Sequence, residues 1–283
     1  MIENPKPMEF TLWPACVKTH PFEQQVKAAA AGGFDTLAIS PLTWKTLRSE
    51  GWTPERIRSL PREYGVRLNT YDGFTDWAPL RYSSTIPEAA RAIFDVSVDE
   101  CLEICAALEL NSICATGAFA VGECELDALQ SSFARFAERA AEFHIRVDLE
   151  FLPMWGIPDL RTAWDIIAKT RPFNAGILLD TWHFMRGNPD IELLEQLPRG
   201  SITSVQVADA DHEVLGADLF EDTLRYRRLP GDGDLPLRQL MDIVLPKGGV
   251  RSIGPEIYAD ALDKLEADEA ARLCSSATRA LLE

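Results

Sequence analysis

Residues 146–183 read RVDLEFLPMWGIPDLRTAWDIIAKTRPFNAGILLDTWH, and they contain one strand–helix–strand unit. Arg146–Phe151 and Gly176–Asp180 are short apolar-rich runs of strand length, and Leu160–Lys169 between them has helical periodicity. Each strand carries an acidic residue at or next to its end, Glu150 in the first and Asp180 in the second.

The same alternation runs through the rest of the chain. Further strands are expected at Phe10–Trp13, Thr36–Ile39, Val66–Tyr71, Ser112–Ala115, Ser204–Ala208 and Ser252–Tyr258. Helices are expected at Pro21–Ala31, Ile86–Leu108, Glu125–Phe143, Ile191–Leu197, Leu237–Val244 and Asp263–Leu282. The first of these has Pro at its opening position, Glu23 in its first turn and Gly32-Gly33 as its stop. Eight strands in 283 residues give roughly 35 residues per βα unit, the repeat of a (β/α)8 barrel of ~250 residues with modest insertions. A doubly wound sheet would carry a glycine-rich phosphate loop after its first strand, and LWPACVKTHPF (12–22) has no glycine. No linker or shift in composition interrupts the pattern, so residues 1–283 are expected to form one domain. Asp72–Thr85 and Ala210–Asp234 read as long loops on the side where a barrel builds its active site.

Composition narrows the function classes. With 46% apolar and 25% charged residues the chain is an ordinary globular sequence, and its charge is 28 − 44 = −16. A surface this acidic repels phosphate backbones, so nucleic acid is not an expected partner. No apolar run approaches the ~20 residues of a membrane span, and the N-terminus lacks a secretory pattern, so the expected location is the cytoplasm. The six cysteines show no disulfide framework, and no His or further Cys near Cys101 and Cys105 completes a zinc site there.

The strand ends carry the chemistry. Glu150, Asp180, Gln206 and Glu256 stand at or near the ends of the last four strands, positions that converge at the C-terminal mouth of a parallel barrel. Clustered carboxylates repel unless something positive neutralises them. Three carboxylates and an amide oxygen are hard ligands suited to one divalent ion, Mn²⁺, Mg²⁺ or Co²⁺.

These residues resemble the xylose isomerase-like barrels, the sugar phosphate isomerase/epimerase group that also contains inosose dehydratases, 3-dehydroshikimate dehydratases and endonucleases of DNA repair. The resemblance runs from THPFEQQVKAAAAGGFDTLAI (19–39) to GPEIY (254–258). It is carried by Glu150 in DLEFLP, Asp180 and His183 in LLDTWH, Gln206 and Asp209 in VQVAD, Arg228 with Gly231 and Gly233 in RRLPGDGD, and Glu256 in PEIY. It implies a metal bound by Glu150, Asp180, Gln206 and Glu256, with Glu150 and Glu256 also serving as base and acid. It implies Arg228 on substrate oxygens, and His183, three residues past Asp180, is a catalytic and substrate-binding candidate that as a neutral imidazole could bond a substrate hydroxyl or shuttle a proton. The third ligand is most often His in the isomerases, and Gln206 instead resembles the dehydroshikimate dehydratase branch and points away from zinc. The repair endonucleases need a cluster of His ligands and a basic face, and this chain has four His and a net charge of −16.

The expected activity is therefore a metal-dependent isomerase or epimerase of a small polyhydroxylated ketone, acting through an enediolate. The alternative is a dehydratase of a cyclitol or shikimate-like ketone, and a non-catalytic binding barrel is the reading from another class. Trp155, Trp182, Tyr71 and Trp77 fall in or near mouth loops, where a ring could stack on a sugar face, with Tyr71 and Trp155 as the substrate contacts. His20 could reach the mouth from the first strand end, whereas His144 and His212 read as structural and solvated. Association into a homo-oligomer stays open.

Overall fold

The computed structural model describes residues 8–84, 86 and 88–283. Eight parallel strands close into a barrel in sequence order: β1 (Glu9–Leu12), β2 (Thr36–Ile39), β3 (Arg67–Phe74), β4 (Ser112–Ala115), β5 (Arg146–Glu150), β6 (Ala175–Asp180), β7 (Ile202–Val207) and β8 (Ser252–Pro255). β8 pairs back onto β1 through Glu9↔Ser252 and Phe10↔Ile253. Among the described residues no helix is long and apolar enough to cross a membrane.

Strand alternation separates two environments. Ile113, Val147, Leu149, Ile177, Leu179, Val205, Val207 and Ile253 join the buried apolar cluster that the outer helices cover. The residues between them turn inward, and many are polar or small. Thr11 bonds Thr36 at 2.8 Å and Ser252 at 2.6 Å, Thr70 bonds Ser112 at 2.8 Å, and Asp148 accepts from Thr203 at 2.6 Å. Branched aliphatic side chains usually fill such an interior. Here hydroxyl pairs do so in part, satisfying one another so that little desolvation cost is left. Gly254 is small for a packing reason, since a Cβ there would overlap the Thr11 carbonyl.

The outer layer holds α1 (Phe22–Ala31), α2 (Pro41–Ser49), α3 (Pro54–Glu63), α4 (Glu88–Phe94), α5 (Val98–Leu108), α6 (Leu126–Glu142), α7 (Leu160–Ala168), α8 (Thr181–Arg186), α9 (Ile191–Gln196), α10 (Leu219–Arg225), α11 (Leu237–Val244) and α12 (Ala267–Leu282). Three expectations are corrected. Ile86–Leu108 is two helices, α4 and α5, and residue 87 within it lies outside the described residues. The break comes at Ser97, whose hydroxyl accepts from Glu100 N–H while Glu100 accepts from Ser97 N–H, a capping box that starts a new helix. The segment between β2 and β3, where the sequence analysis names no helix, forms two, α2 and α3, each with Pro in its first turn behind a Ser40 or Thr53 cap. Ala210–Asp234 is not all loop, because Asp218 caps α10 within it.

Candidate metal and substrate site

The acidic strand ends meet at the barrel mouth. Glu150, Asp180 and His183 each present a ligand atom within 4.8 Å of the others. Asp180 is the N-cap of α8, and its Oδ1 accepts the His183 backbone N–H at 2.9 Å. That geometry sets His183 one helical turn beyond the carboxylate, with its Nε2 3.8 Å from Glu150 Oε1. Gln206 lies beside Asp180 in the β6–β7 register and beside Gly254 in the β7–β8 register. Glu256 follows β8 and joins the cluster through a buried arginine described below.

A fourth acidic residue belongs with them. Asp72 lines the same cavity and forms a group with Glu150 and Cys114, again within 4.8 Å. The Cys114 thiol donates to Glu150 Oε2 at 3.2 Å. Asp72 was missed because β3 was expected to end at Tyr71. The strand continues to Phe74, which gives Asp72 the same strand-end position as Glu150. Cys114 carries no sequence signal beyond its inward parity in SICA.

The positive partner is Arg227. Its side chain is 1% exposed; Nη1 donates to Asp180 Oδ2 at 2.8 Å and to the Glu256 carbonyl at 2.9 Å, and lies 3.3 Å from Glu256 Oε2. Nη2 donates to Thr223 Oγ1 at 2.8 Å and lies 3.3 Å from His183 Nε2. Arg228, the residue expected to reach substrate, is placed elsewhere: its side chain is 44% exposed, paired with Asp211 at 2.6 Å, and outside the cavity lining. Neighbouring residues on extended backbone face opposite ways. The chain pairs there with Asp209, so Arg227 turns inward and Arg228 turns out. The Gly-Asp-Gly turn wraps Asp209, whose carboxylate accepts from the N–H groups of Ala210, Gly231 and Leu235.

The remaining candidates divide. Trp155 lines the cavity, whereas Tyr71 is fully buried outside its lining, near Cys101 and Cys105 of α5. Trp77 donates to the Thr116 carbonyl and Trp182 lies beneath Arg227, both buried away from the lining. His20 spans Gln24 and the Leu265 carbonyl, and His212 stands in solvent beside Glu213.

The chain's own electrostatics are unbalanced. Burial first, then the neighbouring Asp72 charge, pushes Glu150 and Glu256 well above the usual carboxylate range. Burial, aided by Asp180, raises Asp72 to about 6 against the lowering bond from Cys114. Burial would raise Asp180 too, but Arg227 and His183 hold it low. Burial, with Arg227, lowers His183 to about 4, so its imidazole is neutral near pH 7. Four carboxylates thus face one guanidinium.

A divalent cation fits this set. Gln206 is fully buried, and neither its Oε1 nor its Nε2 has a hydrogen-bond partner. An unsatisfied buried polar group costs about 1–3 kcal/mol, so an orphaned amide beside Asp180 is the mark of a ligand position. Carboxylate and amide oxygens suit a hard or borderline ion, and Glu150, Asp180, Gln206 and Glu256 are the residues that would hold it. The cavity has a volume of about 430 Å³ and opens from Glu150, His183, Arg227 and Glu256 outward.

A family model described as "Xylose isomerase-like TIM barrel" matches residues 26–276. A 3-dehydroshikimate dehydratase of Pseudomonas aeruginosa is 28% identical over 240 residues, 84% of this chain and 36% of that protein. The chain thus spans about a third of that relative's length. An inosose isomerase of Halalkalibacterium halodurans is 26% identical over half of each protein. The crystal structure of the IOLI protein with a bound zinc atom superposes with a TM-score of 0.81 at 16% identity, covering 97% of this chain and 98% of that one, a likeness of fold.

Proposed function

The chain belongs to the xylose isomerase-like TIM barrel family, and from that premise we propose that it is a divalent-metal-dependent enzyme that moves a proton next to the carbonyl of a hydroxyketone, isomerising or epimerising it. The observation that supports the reading is that Glu150, Asp180 and His183 present ligand atoms within 4.8 Å of one another, with Glu256 on the same arginine as Asp180 and the partnerless amide of Gln206 on the neighbouring strand. A divalent cation bound there would polarise the ketone oxygen and offset enediolate charge. Mn²⁺, Mg²⁺ and Co²⁺ suit the oxygen-rich donor set better than zinc does.

The chain's own residues supply the remaining roles. Glu150 and Glu256, whose burial favours the protonated form, are suited to take a proton from carbon and return it. Cys114 holds one oxygen of Glu150, leaving the other directed toward His183. Neutral His183 is suited to bond a substrate hydroxyl, with its backbone held by the Asp180 cap and its ring beside Arg227 and Glu150. Arg227 holds Asp180 and Glu256 in place and presents its guanidinium to the cavity. Walls of Leu152, Met154 and Trp155 limit water at the reacting carbon.

Dehydration is the second reading, favoured by the match to 3-dehydroshikimate dehydratases over 84% of the chain and by glutamine at position 206. It begins with the same proton abstraction and then loses a β-hydroxyl. Turnover in D2O with Mn²⁺ tests the shared step: a panel of ketoses, inososes and 3-dehydroshikimate should gain deuterium on the carbon beside the carbonyl. Loss of water from one member would assign the lyase reading. Failure of the whole panel to exchange would overturn the proposal.

A further inference from the structure

We infer that the substrate carries an apolar group, an aromatic ring or a branched alkyl chain, on the side away from its carbonyl; the inference rests on the reading of a hydroxyketone bound at Glu150 and Glu256. The cavity has two unlike ends. At the inner end stand Asp72, Glu150, His183, Arg227 and Glu256. The outer wall is made by Leu42 of α2, Ile93 and Phe94 of α4, Trp155 of the β5–α7 loop, and Phe220 and Leu224 of α10. Phe94 and Trp155 pack edge to face with centroids 5.6 Å apart, so two aromatic rings brace each other at the opening.

Three of these side chains stand in water at a cost. Leu42 is 55%, Phe220 45% and Leu224 50% exposed, all around one mouth. Scattered exposed apolar residues need no explanation, but a group around one cavity marks a binding surface. On α10 the residues that line the cavity are Phe220, Thr223 and Leu224, the i, i+3, i+4 stripe of one helix face, and Arg227 lines it from the extended segment that follows the helix. The segment runs from apolar side chains on α10 to the buried guanidinium of Arg227. Arg186 fixes the segment carrying it: the guanidinium bonds Asp222 and the carbonyls of Asp211, His212 and Glu213.

Several polar side chains in the cavity lining are engaged within the protein, whereas the buried Thr116 hydroxyl has no partner there. Lys18 pairs with Asp263 at 2.5 Å, Gln25 donates to the His20 carbonyl, and Ser40 caps α2 while bonding Thr43. A bare sugar would leave hydroxyls facing Phe94, Trp155, Phe220 and Leu224, losing hydrogen bonds to water with no replacement. A volume of about 430 Å³ is also within the ~300–1,000 Å³ range of pockets that take drug-sized ligands.

The test compares two probes on the Mn²⁺-loaded full chain by calorimetry: hydroxyacetone and 1-hydroxy-4-phenylbutan-2-one. Burial of the ring at ~25 cal/mol per Å² should make the phenyl probe bind about 10- to 100-fold tighter, with a more negative heat-capacity change. Phe220→Ser combined with Leu224→Ser should bring the ratio to within about threefold, with the melting temperature checked because both residues sit half exposed on one short helix. Equal affinity of the two probes would overturn the inference, as would a preference that the double variant leaves intact. Wild-type protein that is dimeric, with α10 protected from hydrogen exchange only in the dimer, would also overturn it by assigning the apolar rim to a second copy. Deuterium exchange into hydroxyacetone, measured alongside, separates the two readings. Exchange without a phenyl preference sinks the apolar-group inference alone, and preference without exchange in any ketone sinks the enolisation reading alone.

Discussion

Arg227 and Asp180 lie 2.8 Å apart with both side chains buried, and the arginine's other contacts reach Glu256, His183 and Thr223. A single cation therefore ties β6, α8, α10 and the end of β8 to one point. The two oxygens of Asp180 face different partners, His183 N–H and Arg227, and each keeps a further lone pair, so the residue can serve as helix cap and ligand candidate together.

Arg227→Met should destabilise the chain by about 3–5 kcal/mol, since removing one member of a buried ion pair strands the other charge. Arg228→Ala should cost about 0–1 kcal/mol, because its pair with Asp211 is exposed and water-screened. Chemical denaturation of the two variants checks this. Equal losses would mean that the inward and outward assignment of these adjacent arginines is wrong.

Gln206→Met removes two orphaned polar atoms from a fully buried position. The metal-free protein should melt higher, by up to the equivalent of about 1–3 kcal/mol. Mn²⁺ affinity should fall by more than the roughly 10–100-fold that loss of an outer hydrogen-bond partner costs. Gln206→His should keep the metal and move the preference toward Zn²⁺, because imidazole is a softer donor than an amide oxygen. Titration with Mn²⁺ and Zn²⁺ reads both effects, and unchanged affinities would remove Gln206 from the ligand set.

The barrel was legible because its alternation is simple. Val147 and Leu149 face the helices while Asp148 and Glu150 face inward, and each βα repeat restates that code. Legibility failed where one residue of register decides the outcome. Ending β3 at Tyr71 hid Asp72, and a motif centred on Arg228 hid Arg227 beside it. Phe220, Thr223, Leu224 and Arg227 do keep helical spacing, but the flanking Asp, Gly and Pro residues made Ala210–Asp234 read as loop. α2 and α3 went unread although Pro41 and Pro54 follow Ser40 and Thr53, because their own sequences bury few residues.

Arg186→Ala should loosen the segment between β7 and α11 without opening the barrel. The guanidinium pairs with the buried Asp222 at 2.8 Å and caps three carbonyls of residues 211–213, so its loss leaves Asp222 uncompensated. Hydrogen exchange should accelerate at residues 211–224 while β5 and β6 stay protected. Uniform acceleration across the barrel would show that Arg186 supports the whole fold instead.

Glu256→Gln separates holding a metal from moving a proton. The amide keeps an oxygen at the same position, so Mn²⁺ should still bind, more weakly, and the Arg227 contact to the residue 256 carbonyl should persist. The amide has no basic carboxylate, so kcat should fall by roughly 10²–10⁴, the span expected for lost general acid–base work. His183→Asn should act differently, raising KM more than it lowers kcat, if the proposed role of His183 on substrate oxygens holds. Measuring bound manganese, kcat and KM on the same preparations distinguishes these outcomes. A manganese-loaded Glu256→Gln protein with wild-type kcat would exclude Glu256 as base or acid and leave Glu150, beside Cys114, to carry the proton in both directions.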